Sequence, residues 1–238
     1  MKILMVLARC IFVICLPVLL LTATIAGAVN CNWLYTHGFE KYDVRQSLAD
    51  NGLNLTDADM AGIARGFIHY FNSSEEYISL TVQQDGKAIP LFNTDETIHF
   101  KDVKGLFRFD YDVLLGTFIY CLAFSILSLF WRKEPNRIKL AGNTIIGSVV
   151  TLGLMLLMGI GTLVNFDTLF YDFHLIAFSN NFWSVEGNML LLFPDGFWYD
   201  AAVYIVITIA VLALVLGGLS WTYLARSKRN AQRKLLQT

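Results

Sequence analysis

Four stretches of this chain are apolar over about 20 residues or more: Cys10 to Val29, Tyr111 to Trp131, Leu140 to Val164 and Ala201 to Leu224. A bilayer's hydrocarbon holds no water to satisfy an open backbone, so only a helix of that length or a closed barrel can cross it. The pattern predicts a polytopic α-helical membrane protein with four transmembrane helices, at 10–29, 111–131, 140–164 and 201–224. Composition agrees, since 55% of the 238 residues are hydrophobic and 16% charged, with mean hydropathy +0.53, outside the soluble globular range. The 18 basic residues nearly balance the 19 acidic ones and form no block away from the apolar stretches, which argues against nucleic acid as a partner. Lys2 and Arg9 before the first stretch and Ala26-Gly27-Ala28 at its end resemble an export signal, but its near full spanning length predicts an uncleaved anchor.

Lysine and arginine in short flanks stay on the cytoplasmic side of a membrane. Here they gather at Lys2 and Arg9, at Arg132, Lys133, Arg137 and Lys139, and at Arg226, Lys228, Arg229, Arg233 and Lys234. Residues 165–200 hold neither type. Both termini are therefore expected in the cytoplasm, with a cytoplasmic loop at 132–139 and a basic cytoplasmic tail at 225–238. The outer face then carries a small mixed α/β extracellular domain at 30–110 and a short extracellular or interfacial loop at 165–200.

Within 30–110, Thr56-x-x-Asp59 has the form of a capping box, opening a helix through Ile63, Ala64, Phe67, Ile68 and Phe71 that Asn72-Ser73-Ser74 ends. Ile78, Leu80 and Val82 alternate with polar residues, Asp85-Gly86 offers a turn, and Ala88 to Phe92 returns, which predicts a β-hairpin with Pro90 on an edge. Glu96 to Lys104 then forms a polar helical run toward the second span. The loop at 165–200 is dense with aromatic residues, among them Phe166, Phe170, Tyr171, Phe173, Phe178, Phe182, Trp183, Phe193, Phe197 and Trp198. Two uses fit them: an interfacial belt or a wall that binds acyl chains.

Four histidines are the side chains that titrate nearest physiological pH. His37 has no paired acid nearby and His69 lies among apolar residues. His99 and His174 stand apart, because they lie on different outer segments that both approach the membrane surface. Asp102 is three residues after His99, close enough on a helix to orient an imidazole. Asp167 precedes His174 by seven residues, about two turns, on one face. No G-x-S-x-G elbow, H-E-x-x-H zinc helix or phosphate-binding glycine loop occurs. No tight ligand spacing demands a metal, and spans nearly free of charge argue against transport. Cys10, Cys15 and Cys121 lie in apolar runs, leaving Cys31 as a lone thiol in a polar stretch.

Two motifs carry a resemblance. They are Glu96-x-x-His99-x-x-Asp102-Val103-Lys104, and Asn165-Phe166-Asp167-x-Leu169-Phe170-x-x-Phe173-His174 continuing through Phe178, Trp183 and Phe193-Pro194-Asp195. With four spans and a large first outer loop, the chain resembles the lipoprotein intramolecular transacylase (Lit) family of Gram-positive bacterial membrane proteins over nearly its whole length. Family members often carry glutamate where Asp195 stands.

The resemblance implies an acyltransferase of the bacterial plasma membrane with its catalytic side extracellular. In that reaction the sn-2 ester-linked acyl chain of a diacylglyceryl lipoprotein moves to the α-amino group of the same lipoprotein's N-terminal cysteine, giving a lyso-form lipoprotein. It implies His99 and His174 as the catalytic pair, Asp102, Asp167 and Glu96 as supporting groups, and Phe170, Phe173, Phe178 and Trp183 along the acyl chain. The partners are then the diacylated lipoprotein and membrane lipid, with no cofactor and no metal required. Two other classes remain open from the residues: a non-catalytic four-span scaffold, and a metal-dependent membrane hydrolase. A scaffold of that outline usually staples its large loop with a cysteine pair, which this loop lacks.

Overall fold

The computed structural model describes residues 2–84, 86–130 and 134–235. Asp85 of the expected turn, Trp131 at the expected end of the second span, and the flanking Arg132 and Lys133 lie outside the described residues. In chain order the elements are α1 (Lys2–Val29), α2 (Asn32–Lys41), α3 (Val44–Asp50), α4 (Asp57–Asn72), β1 (Thr81–Gln84), β2 (Lys87–Pro90), α5 (Thr94–Phe130), α6 (Glu134–Ala177), α7 (Asn188–Leu192) and α8 (Asp195–Leu235). Four of them, α1, α5, α6 and α8, are long and apolar enough to cross a membrane. Each outruns the apolar stretch that marks it in the sequence. Hydropathy reports only the part suited to hydrocarbon, whereas helix formation continues wherever propensity allows.

The chain divides into two compact units, the first made of residues 1–25, 111–160 and 205–238 and the second of residues 26–110 and 161–204. In the first unit, Leu16, Leu20, Met155, Ile209 and Ala213 form a buried cluster, with Leu152, Val206 and Leu216 against it. Small residues set the helix approach there, because a Cβ at Gly147 would fall 2.8 Å from Leu16 Cδ2.

The second unit joins the two expected outer segments into one body. It is helical apart from one antiparallel hairpin, in which Val82 pairs with Ile89 and Thr81 with Pro90. The expected mixed α/β domain is thus mostly α, because α2 and α3 occupy residues too short and mixed in pattern to announce a helix. The Thr56–Asp59 capping box is present, with both reciprocal bonds made. α4 lays its apolar face inward and places Phe67, fully buried, at the centre of an aromatic core. Its ring lies 5.0 Å from Phe193, 5.2 Å from Phe100, 5.8 Å from Phe92, 6.0 Å from Phe71 and 6.1 Å from Tyr35. Phe193 and Phe197, from the aromatic-rich segment, are therefore core residues and not part of an interfacial belt.

Candidate active site

α6 breaks at Asn165, whose φ of −159° and ψ of 80° are extended. The Asn165 carboxamide oxygen accepts from Thr168 N at 3.2 Å, so the residue that ends one helical stretch caps the next. Residues 166–177, expected in a loop, are helical for this reason and carry His174 near their end.

The opening of α5 is held by a second reciprocal cap. Asn93 Oδ1 accepts from Glu96 N at 3.0 Å, and Glu96 Oε2 accepts from Asn93 N at 2.8 Å. The other carboxylate oxygen of Glu96 accepts from Met189 N at 2.6 Å, tying the start of α7 to α5. Burial raises the Glu96 carboxyl above the ordinary range, against the downward pull of these backbone donors. Gly187 is required for the approach, since a Cβ at that position would overlap the Glu96 carboxyl. Glu96→Ala leaves two N–H groups without an acceptor, and the expected cost is about 2 kcal/mol. Thermal unfolding in detergent measures it, and Glu96→Gln, which keeps one acceptor oxygen, should lose less.

One turn on from Glu96, α5 buries His99, which retains 6% of its exposure, and α6 brings His174, with 7%, so that the ring centroids lie 6.3 Å apart. Both belong to the second unit. Phe178 meets His99 edge-on at 4.9 Å and lies 5.5 Å from His174. Around His174 stand Phe170 at 4.2 Å, Trp183 at 4.8 Å and Phe173 at 5.3 Å. Of these, Phe178 is buried and Phe173 exposed.

The two imidazoles differ in their hydrogen bonds. His174 Nδ1 lies 2.7 Å from the Phe170 carbonyl oxygen. A carbonyl only accepts, so Nδ1 carries the proton and the neutral ring holds its lone pair on Nε2. His99 Nδ1 is buried with no partner among the described residues. Burial first, then the neighbouring His174, push His99 down to about 4, against a smaller upward pull from Asp102. Burial also lowers His174, opposed by its bond to the Phe170 carbonyl.

Asp102 spends its hydrogen bond elsewhere than on His99: its Oδ2 accepts from Asn180 Nδ2 at 2.9 Å. Asn180 Oδ1 in turn accepts from Phe182 N at 3.1 Å, fixing the 3-10 turn Phe182–Ser184 that carries Trp183. Glu96, His99 and Asp102, at three-residue steps on one side of α5, thus place a histidine between two carboxylates that hold the 180–189 segment. Asp167 is exposed and makes no hydrogen bond or ion pair among the described residues. It shares a face with His174, but two turns of rise is about 10 Å, too far for one side chain to orient the other. His37 stacks on Trp33 at 4.6 Å, and His69 is exposed on α4.

Sequence reasoning missed Asn93 and Asn180. The Asn93-x-x-Glu96 spacing was a readable cap, whereas nothing local marks Asn180. The buried Lys104 was read only as part of a motif. Its ammonium donates to the Glu75 carbonyl oxygen at 2.6 Å and to Ser73 Oγ at 3.2 Å, anchoring the bend after α4. Among the described residues, no three His, Cys, Asp or Glu side chains are grouped to hold a metal ion.

The family model for lipoprotein intramolecular transacylase Lit matches residues 10–198. The chain belongs to the Lit family. It is accordingly a multi-pass membrane protein and an acyltransferase. Among solved structures, Lit from Bacillus cereus matches over 96% of this chain and 99% of its own, with a TM-score of 0.73 at 19% identity. Two structures of the same protein with a single histidine replaced, by alanine and by arginine, match with TM-scores of 0.68 and 0.67 at 20% and 21% identity. Each of these covers 94% of this chain, and 94% and 93% of its own. At such identities the likeness shows that the Lit fold is shared. No curated protein matches in sequence.

Proposed function

We propose that this chain transfers the sn-2 ester-linked acyl group of a diacylglyceryl lipoprotein to the α-amino group of that lipoprotein's N-terminal cysteine. The observation that carries the reading is the pair of buried histidines, brought from α5 and α6 to 6.3 Å between ring centroids inside a ring of aromatic side chains. The family's name, lipoprotein intramolecular transacylase, agrees with it.

Ester aminolysis needs a neutral amine, and an α-amino group with a pKa of about 8 is largely protonated at pH 7. His174, with Nδ1–H fixed on the Phe170 carbonyl, offers Nε2 to take the amine proton as nitrogen attacks the ester carbon. His99 stands on the other side, where its neutral ring N–H hydrogen-bonds the departing glycerol oxygen while the proton taken up by His174 passes to that oxygen. Amine and ester belong to one molecule, so the enzyme supplies attack geometry and needs neither a carrier nor a covalent acyl intermediate. Phe170, Phe173, Phe178 and Trp183 line the acyl chain, with Asp102 and Glu96 supporting the segment that carries Trp183. The flanking charges put both termini in the cytoplasm and the site on the extracellular face of the bacterial plasma membrane, in contact with its lipids.

Mass spectrometry of the N-terminal lipopeptide from a diacylated lipoprotein co-expressed with the native chain tests the reading. A lyso-form with an amide-linked acyl chain is expected, and its formation should persist after chelation. Free fatty acid, lost on chelation, identifies a metal-dependent hydrolase; an unchanged diacyl form with a free amine identifies a scaffold.

The pH profile gives an independent check. With His99 lowered to about 4 and His174 shifted in the same direction, any break from protonation of the rings falls below about 6.5, where free histidine protonates. Log kcat/KM should therefore fall with unit slope below about pH 8, set by the substrate amine, and pass pH 6.5 without steepening. A second break at pH 6.5 would mean that the rings ionise as they do in water.

A further inference from the structure

Trp183 has a feature that a wall for an acyl chain does not need. Its indole Nε1 is closed off from solvent and has no hydrogen-bond partner among the described residues. An indole N–H only donates, and a buried donor left unmade costs about 1–3 kcal/mol. The ring lies 4.8 Å from that of His174 and meets Tyr171 edge-on at 5.6 Å. Its backbone is fixed on both sides: Ser184 N and Ser184 Oγ donate to the Asn181 carbonyl at 3.2 and 3.0 Å, and Phe182 N donates to Asn180, which Asp102 holds.

An orphan donor on a ring that packs against the one assigned as base, carried by a pinned backbone, is what a reaction building negative charge on a carbonyl oxygen requires. We infer that the Trp183 indole N–H donates to the acyl carbonyl oxygen of the substrate as that oxygen becomes an oxyanion. This rests on the acyl-transfer reading above and adds a catalytic residue to it. As the amine nitrogen bonds to the carbonyl carbon, the π pair moves onto oxygen and is met by Nε1–H, while the amine proton passes to His174. Collapse of the intermediate restores the carbonyl, breaks the bond to the glycerol oxygen and returns a proton to that oxygen. Atoms and charge balance with no further reactant.

The test separates the N–H from the ring. Trp183→Phe removes the donor, and β-(3-benzothienyl)alanine installed at position 183 alone keeps the bicyclic shape with sulfur in place of N–H. Single-turnover formation of the N-acyl lyso-lipopeptide should fall about a hundredfold in both, with KM and thermal midpoint nearly unchanged for the isostere. Native turnover with the isostere overturns the inference, as does a change confined to KM or chain-length preference, which returns Trp183 to the acyl wall. A native chain that forms no N-acyl product overturns the acyl-transfer reading and this inference together.

Discussion

Replacing either His99 or His174 with alanine is expected to slow acyl transfer by about a hundredfold to ten-thousandfold, the range for removing a positioned acid or base. The protein should remain folded in both variants. His99 makes no hydrogen bond among the described residues, and the one bond of His174 runs to Phe170 within its own helix. Neither ring ties distant elements together through polar contacts, so the loss should appear in the chemical step and not in the amount of protein in the membrane. Single-turnover mass spectrometry of the lipopeptide at matched protein levels measures it. Groups that act as a unit are not additive, so the double variant should be little slower than the slower single one. Native rates in either single variant would remove that histidine from the reaction.

Phe67→Ala should be the most damaging core substitution in the second unit. The ring is fully buried and touches five aromatic neighbours contributed by α2, α4, α5 and the segments before α5 and α8. Truncating a buried phenylalanine costs about 3–5 kcal/mol from lost transfer energy and the cavity left behind. A fall of many degrees in the thermal midpoint of the purified protein is the expected result. Phe173, 51% exposed though adjacent to His174, gives the contrast. Phe173→Ala should change stability by no more than about 0.5 kcal/mol while altering acyl-chain preference.

The four spanning helices and the capping box at Thr56 were legible because each is a local pattern: an uninterrupted apolar run, or a pair of residues three apart. The histidine pair was legible as two candidates on separate segments, but its meeting was expected only from the resemblance, since no spacing rule connects positions 99 and 174. α2 and α3 escaped for a different reason. Short helices have little stability of their own, and α2 is held by Tyr35 and Phe39 against Phe67, Phe193 and Phe197, partners far away in sequence. Asp102 illustrates the limit of helical spacing, which correctly placed it beside His99 but gave no sign of Asn180, its actual hydrogen-bond partner. The division of the aromatic residues between core and surface was equally hidden, because Phe193 and Tyr171 look alike until α4 buries one of them.

The contact between Gly187 and Glu96 has a consequence for how such chains diverge. The bare backbone at one position makes room for the carboxyl at the other, so a change at either is expected to favour a change at its partner. A chain that gains a side chain at 187 has to move or shorten the residue at 96, and with it give up the acceptor for Met189 N, the second amide of α7. Exchange of the 180–189 segment for one with a side chain at 187 should therefore destabilise the chimera while Glu96 is kept, and restoring Gly187 should recover it.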